Sequence, residues 1–157
     1  MQKITPYLWF DNQAEEAVKF YTSIFKNSKI ESLVRYGEEM PGQAGQVMNI
    51  VFELEGQKYY ALNGGPAFSF TPAISFFVEC ADQEEVDYYW DRLSEGGTIE
   101  MCGWLRDKFG LSWQIIPTAL MELMSDSDPV KAGRVTQAML QMQKIDVAKL
   151  KQAYAQG

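Results

Sequence analysis

The chain has 157 residues, 46% of them hydrophobic, and carries a formal net charge of -7. That is enough apolar side chain for a buried core and argues against disorder, while the acidic balance removes any global attraction to nucleic-acid phosphate or an anionic membrane. Two cysteines, no histidine, no charged-then-apolar leader and no apolar run of membrane-spanning length predict a cytoplasmic protein without a disulfide framework.

The first predicted element is a strand in "PYLWF", residues 6–10, followed by a polar break. Ala14, Ala17, Val18, Tyr21, Ile24 and Phe25 then recur at helical spacing and predict an amphipathic helix. "YGEEMPGQAGQ", residues 36–46, is polar and Gly-rich and reads as an insertion, within which Gly37–Gly45 is either a mobile lid or an inert surface loop. "EGQKYYAL" is a turn glycine followed by a strand, and Asn63-Gly64-Gly65-Pro66 is a turn leaving it.

The same order then recurs. "SFFVE" starts a second unit at Ser75, and Val86, Tyr89, Trp90 and Leu93 form a second helical stripe. "FGLSWQII", residues 109–116, matches "EGQKYYAL" as turn plus strand. An ungapped shift of 69 lays "PYLWF" over "SFFVE" and Tyr21 over Trp90. The predicted fold class is α+β: two tandem βαβββ units, 3–66 and 73–117, forming a half-barrel cup within a single domain.

Beyond Pro117 the pattern is helical. "TALMELM" is a short turn or helix, Asp128-Pro129 opens a longer one with Val135, Ala138, Met139 and Met142 on one face, and Asp146 caps the last. This extension, 118–157, covers its own domain or forms a subunit contact.

On "LWFDNQAEEAVKFY", "LNGGPAFSF", "AISFFVECADQEEVDYYW" and "CGWLRDKFGLSWQIIP", the chain resembles the vicinal oxygen chelate superfamily, the fold of glyoxalase I, bleomycin-resistance proteins and extradiol dioxygenases. More narrowly it resembles the PhnB-like branch, some members of which are labelled 3-demethylubiquinone-9 3-methyltransferase. The resemblance implies a cup shared by both units, and a homodimer. Metal-using relatives place His or Glu at positions that fall here on Pro6 and Ser75 of the first strands and on Tyr60 and Gln114 of the last. A proline, two hydroxyls and an amide are poor partners for a divalent transition metal, so neither metal nor other cofactor is expected.

Strand alternation puts Leu8 and Phe10 on the cup face with Tyr60, Leu62, Ser75, Phe77, Ser112, Gln114 and Ile116, while Tyr7, Trp9, Phe76 and Val78 turn toward the helices. Such a cup is apolar and aromatic with a few polar groups, as a small-molecule pocket is. Glu79 is the candidate general acid or base, should apolar surroundings raise its pKa. Cys102 is a candidate nucleophile only if a cation such as Arg106 favours its thiolate. Trp104 and Trp113 either stack on a planar ligand or belong to the core. The reading is a metal-free protein that binds a small apolar or aromatic ligand. A metal-independent enzyme, by proton or methyl transfer, and a non-catalytic scaffold for dimerisation remain open alternatives.

Overall fold

The computed structural model describes residues 1–156, which form two compact units, the first Met1–Phe70 and the second from Thr71 onward. In the first unit the strand–helix–strand crossover fixes a mixed sheet. Its elements are β1 (Tyr7–Phe10), α1 (Ala14–Ile24), β2 (Ser28–Arg35), β3 (Val47–Leu54) and β4 (Gln57–Asn63). The sheet order is β1-β4-β3-β2, with β1 parallel to β4 and the other pairs antiparallel. A two-residue hairpin joins β3 to β4, with φ of 50° at Glu55 and 79° at Gly56, the left-handed geometry that suits the strand twist.

The predicted stripe of α1 is buried, and the two alanines on it are fully buried beneath the helix. Their small side chains bring the helix close to Ile50, Phe52 and Ala61, all at 0% exposure. Burial of each larger side chain contributes roughly 1.5–3 kcal/mol. No side chain of α1 itself caps its N-terminus; instead Asn63, at the end of β4, accepts a 2.8 Å hydrogen bond from the Ala14 N–H. That buried amide ties the last strand to the helix and satisfies one of the free N–H groups of the first turn.

The second unit repeats the plan with β5 (Ser75–Cys80), α2 (Gln83–Ser94), β6 (Thr98–Ile99), β7 (Trp104–Arg106) and β8 (Ser112–Pro117), in the order β5-β8-β7-β6. Here Asp82 caps α2 by accepting from the Glu85 N–H, and the Glu85 carboxylate accepts from the Ala81 N–H. Val86, Tyr89, Trp90 and Leu93 are buried, as the stripe predicts.

The two copies are not related by one constant shift. Tyr60 pairs with Tyr7, and Gln114, 54 residues after Tyr60, pairs with Phe77, 70 residues after Tyr7. The helices align at 69, because three residues separate β1 from α1 and only two separate β5 from α2. An ungapped alignment therefore sets the first strands one residue out of register, and in a strand one residue reverses every face. Leu8 and Phe10 are the casualties. They are register partners of Ala61 and Asn63, and Asn63 reaches α1, so both face the helix in the core at 6% and 3% exposure. Tyr7 and Trp9 hold the opposite face. The structural counterpart of Ser75 is accordingly Thr5, not Pro6.

The C-terminal residues fold as α3 (Thr118–Met124), α4 (Pro129–Met139) and α5 (Val147–Ala155), within the second unit. Asp128 and Asp146 cap α4 and α5 as predicted. Leu120, Val135, Ile145 and Leu150 close over Ile116 of β8, with Ala138, Met139 and Met142 packed around them. The segment between α4 and α5 is strapped down: Cys102 N–H donates to Met142 O at 2.7 Å and Gly103 N–H to Gln143 O at 2.9 Å. Gly103 has φ of 82°, and a Cβ there would press on Ile116 and Ile145. Next along the strap, the Gln83 amide donates to Ile145 O at 3.0 Å and accepts from Val147 N–H at 2.7 Å, as a neighbouring strand would.

Candidate functional site

On the second unit's sheet, the buried Trp113, met edge-on by Phe76, marks the α2 side. Alternation then puts Ser75, Phe77 and Glu79 of β5, Ser112, Gln114 and Ile116 of β8, and Trp104 and Arg106 of β7 on the face turned away from α2. There the Gln114 amide donates to Ser75 Oγ at 2.9 Å, beside a Phe77 ring that is 48% exposed. Trp104 is half-buried opposite Gln114. Ser112 is fully buried with its hydroxyl unpartnered among the described residues, and Ile116 lies under the C-terminal helices. This face is therefore open around Phe77 and Glu79 and covered at Ser112 and Ile116.

The two reactive candidates fare differently. Glu79 is exposed at the end of β5, without the apolar enclosure expected of it. Its neighbour Cys80 points into the core, and burial, followed by the charges of Glu85, Asp82 and Glu79, pushes its thiol up to about 12. Cys102 lies half-buried beside the strap with φ of 62°, and Arg106 is paired with Glu100 at 3.1 Å. Trp113 is core, its indole N–H held by Asp107 at 2.9 Å.

On the first unit's sheet, the face turned away from α1 holds Tyr7, Trp9, Tyr60 and Leu62, with Asn49 and Val51 from β3. The Tyr7 and Tyr60 rings meet edge to face, centroids 5.2 Å apart, and the Tyr7 hydroxyl donates to Asn49 Oδ1 at 2.6 Å. Trp9 donates to Gly65 O at 3.0 Å and meets Phe68 edge-on at 4.9 Å; a side chain at Gly64 would collide with its ring. Tyr7, Trp9 and Asn49 were not expected here. Only the residue count between β1 and α1 could have revealed the first two.

Neither unit offers a donor set suited to a transition metal. Thr5, Pro6, Tyr60, Ser75 and Gln114 supply hydroxyls, an amide and no thiolate, imidazole or carboxylate, and Gln114 and Ser75 are bonded to one another. Among the described residues no group of three Cys, Asp or Glu side chains stands close enough to share an ion. The strand–helix turns, Asp11-Asn12-Gln13 and Ala81-Asp82, contain no glycine, so they lack the phosphate cradle of a nucleotide-binding βα turn. No described helix is long and apolar enough to cross a membrane.

The family profile described as 3-demethylubiquinone-9 3-methyltransferase matches residues 2–116. A PhnB protein of Bacillus cereus, labelled with the same activity, is 41% identical over 74% of this chain and 99% of its own, with a TM-score of 0.69. The chain belongs to this family. The 3-demethylubiquinone-9 3-methyltransferase family thus spans both βαβββ units and stops where the extension begins. Protein PA1353 of Pseudomonas aeruginosa, 21% identical over 74% of this chain and 98% of its own, shares the fold with a TM-score of 0.63. So does the fosfomycin resistance protein FosX of Listeria monocytogenes, solved with Mn(II) and sulfate: 15% identical over 72% of this chain and 90% of its own, TM-score 0.53. The family member described here accordingly shares with these proteins a fold that has one four-stranded mixed sheet in each unit. No curated protein matches it.

Proposed function

We propose that the protein binds a small, largely apolar or aromatic ligand on the open faces of its sheets, without a metal ion or other cofactor. The carrying observation is the second unit's exposed Phe77 beside the Gln114–Ser75 pair, with Trp104 across from it. An apolar ring surface with one oriented amide and one hydroxyl is the composition of a small-molecule site. Tyr60 and Leu62 offer a comparable surface on the first unit, and Ser112 supplies the buried edge of the second. The family's descriptive name would assign methyl transfer, yet the glycine-free strand–helix turns give a nucleotide-like methyl donor no cradle, so binding is the stronger reading. Glu79, exposed as it is, ranks as a rim residue rather than an acid. Free thiols at Cys80 and Cys102 support a cytoplasmic location, and we take the working form to be a homodimer.

Saturation-transfer NMR against a panel of aromatic metabolites tests the binding, run with and without a chelator. Phe77→Ala should weaken binding of any hit by roughly tenfold, from the loss of about 1.5 kcal/mol of apolar contact. Hits that bind Phe77→Ala as well as the parent, or vanish with the chelator, would sink the proposal.

A further inference from the structure

We propose that the first unit's sheet carries a recognition site for an uncharged aromatic carbonyl, with Tyr7 as its platform and Asn49 and Tyr60 as its donors. The inference rests on the reading of the protein as a small-molecule binder and names the chemistry of what is bound. Its basis is an arrangement that strand pairing alone does not require. In the order β1-β4-β3, Tyr7 leaves β1, crosses β4 between Tyr60 and Leu62, and ends on Asn49 of β3. The ring is therefore laid over the sheet, yet 52% of the residue is exposed, so an aromatic surface is presented outward. An edge-on Tyr60 fixes it from one side and the Asn49 bond from its tip. A planar ring can stack on a platform held in this way at little cost in side-chain freedom.

Hydrogen-bonding capacity at the platform leans toward donation. Asn49 Oδ1 is occupied by Tyr7, which leaves the Asn49 amide N–H groups to donate; neither they nor the Tyr60 hydroxyl has a partner among the described residues. Burial, with the adjoining phenols of Tyr36 and Tyr60, holds Tyr7 above the usual tyrosine range, so it stays protonated as the donor to Asn49. The free groups thus ask for an oxygen acceptor. Charge adds a second selection. Lys29 and Lys58 are matched by carboxylates, Glu53 at 3.3 Å and Glu31 at 3.6 Å, so these cations are already engaged before an acid arrives. A ring bearing a neutral carbonyl meets both conditions; a carboxylate meets one.

Three probes of similar shape separate these terms: acetonaphthone, ethylnaphthalene and naphthoate, titrated by calorimetry and by the NMR signals of Tyr7 and Asn49. The expected order puts acetonaphthone about tenfold tighter than ethylnaphthalene, the worth of one good hydrogen bond, with naphthoate weakest. Asn49→Leu should abolish the preference for the carbonyl, and Tyr60→Phe should reduce it. Equal binding of the ketone and the hydrocarbon, or a preference untouched by both substitutions, overturns this site and leaves the general binding proposal standing. Absence of binding by all three probes also overturns this site, and the metabolite panel decides the general proposal separately.

Discussion

Asp107 is a carboxylate only 3% exposed, in a turn that leads into the last strand of the second unit. It is tolerated because three donors converge on it: the N–H groups of Phe109 and Leu111 at 2.9 and 3.1 Å, and the Trp113 indole at 2.9 Å. Removing it strands all three in the interior. Asp107→Ala should lower unfolding free energy by about 3 kcal/mol in a urea titration, in line with loss of charge-assisted hydrogen bonds. A change under about 0.5 kcal/mol, the usual range for surface positions, would show the clamp to be unimportant. This role was hidden in the sequence, where the residue is one more acidic side chain in a loop. Nothing local distinguishes a solvated turn aspartate from one that holds a tryptophan six positions away. Tyr7 and Leu8 teach the same lesson. Both suit a strand, and which of them meets the helix depends on a count made elsewhere.

The elements themselves were far more legible. Both helical stripes, the caps at Asp128 and Asp146, the insertion at 36–46 and the order of the repeat all follow from periodicity and turn chemistry. The face assignment failed in β1 alone, since helix spacing tolerates a one-residue gap that strand alternation does not. Wholly unannounced was the strap between α4 and α5, because its partners are main-chain atoms and a side chain on α2. There the Gln83 amide takes the place of a strand, and Lys144 adds ion pairs to Asp87 at 3.2 Å and Asp91 at 3.9 Å. The Gln83 hydrogen bond, then Lys144, holds the Asp87 carboxyl below its ordinary value. Gln83→Leu should free the strap before it unfolds the sheet. Limited proteolysis would then cut within residues 140–147 at least several-fold faster at unchanged melting temperature; an equally resistant chain would contradict the assignment.

For the molecule as a whole, the match to its relatives ends near residue 116, so the three C-terminal helices are an addition to a fold that is complete in the shorter proteins. The addition hides Ile116 and leaves Val130, Met121 and Leu140 exposed at 63%, 50% and 45%. Those apolar side chains give a second copy something to cover, consistent with the proposed homodimer. Light scattering should return twice the mass of one chain across a wide dilution series. A mass of one chain at every concentration would exclude the dimer.

The strap also bears on how such an appendage can change over time. Its grip comes chiefly from carbonyls and amides at positions 142–147, which every amino acid but proline possesses in full. An outward-facing side chain such as Gln143 is free to drift without loosening the anchor, so long as Gln83, Gly103, the buried Ile145 and the capping Asp146 persist. A different helical cargo, grafted behind the same six-residue tether, would inherit a ready-made berth.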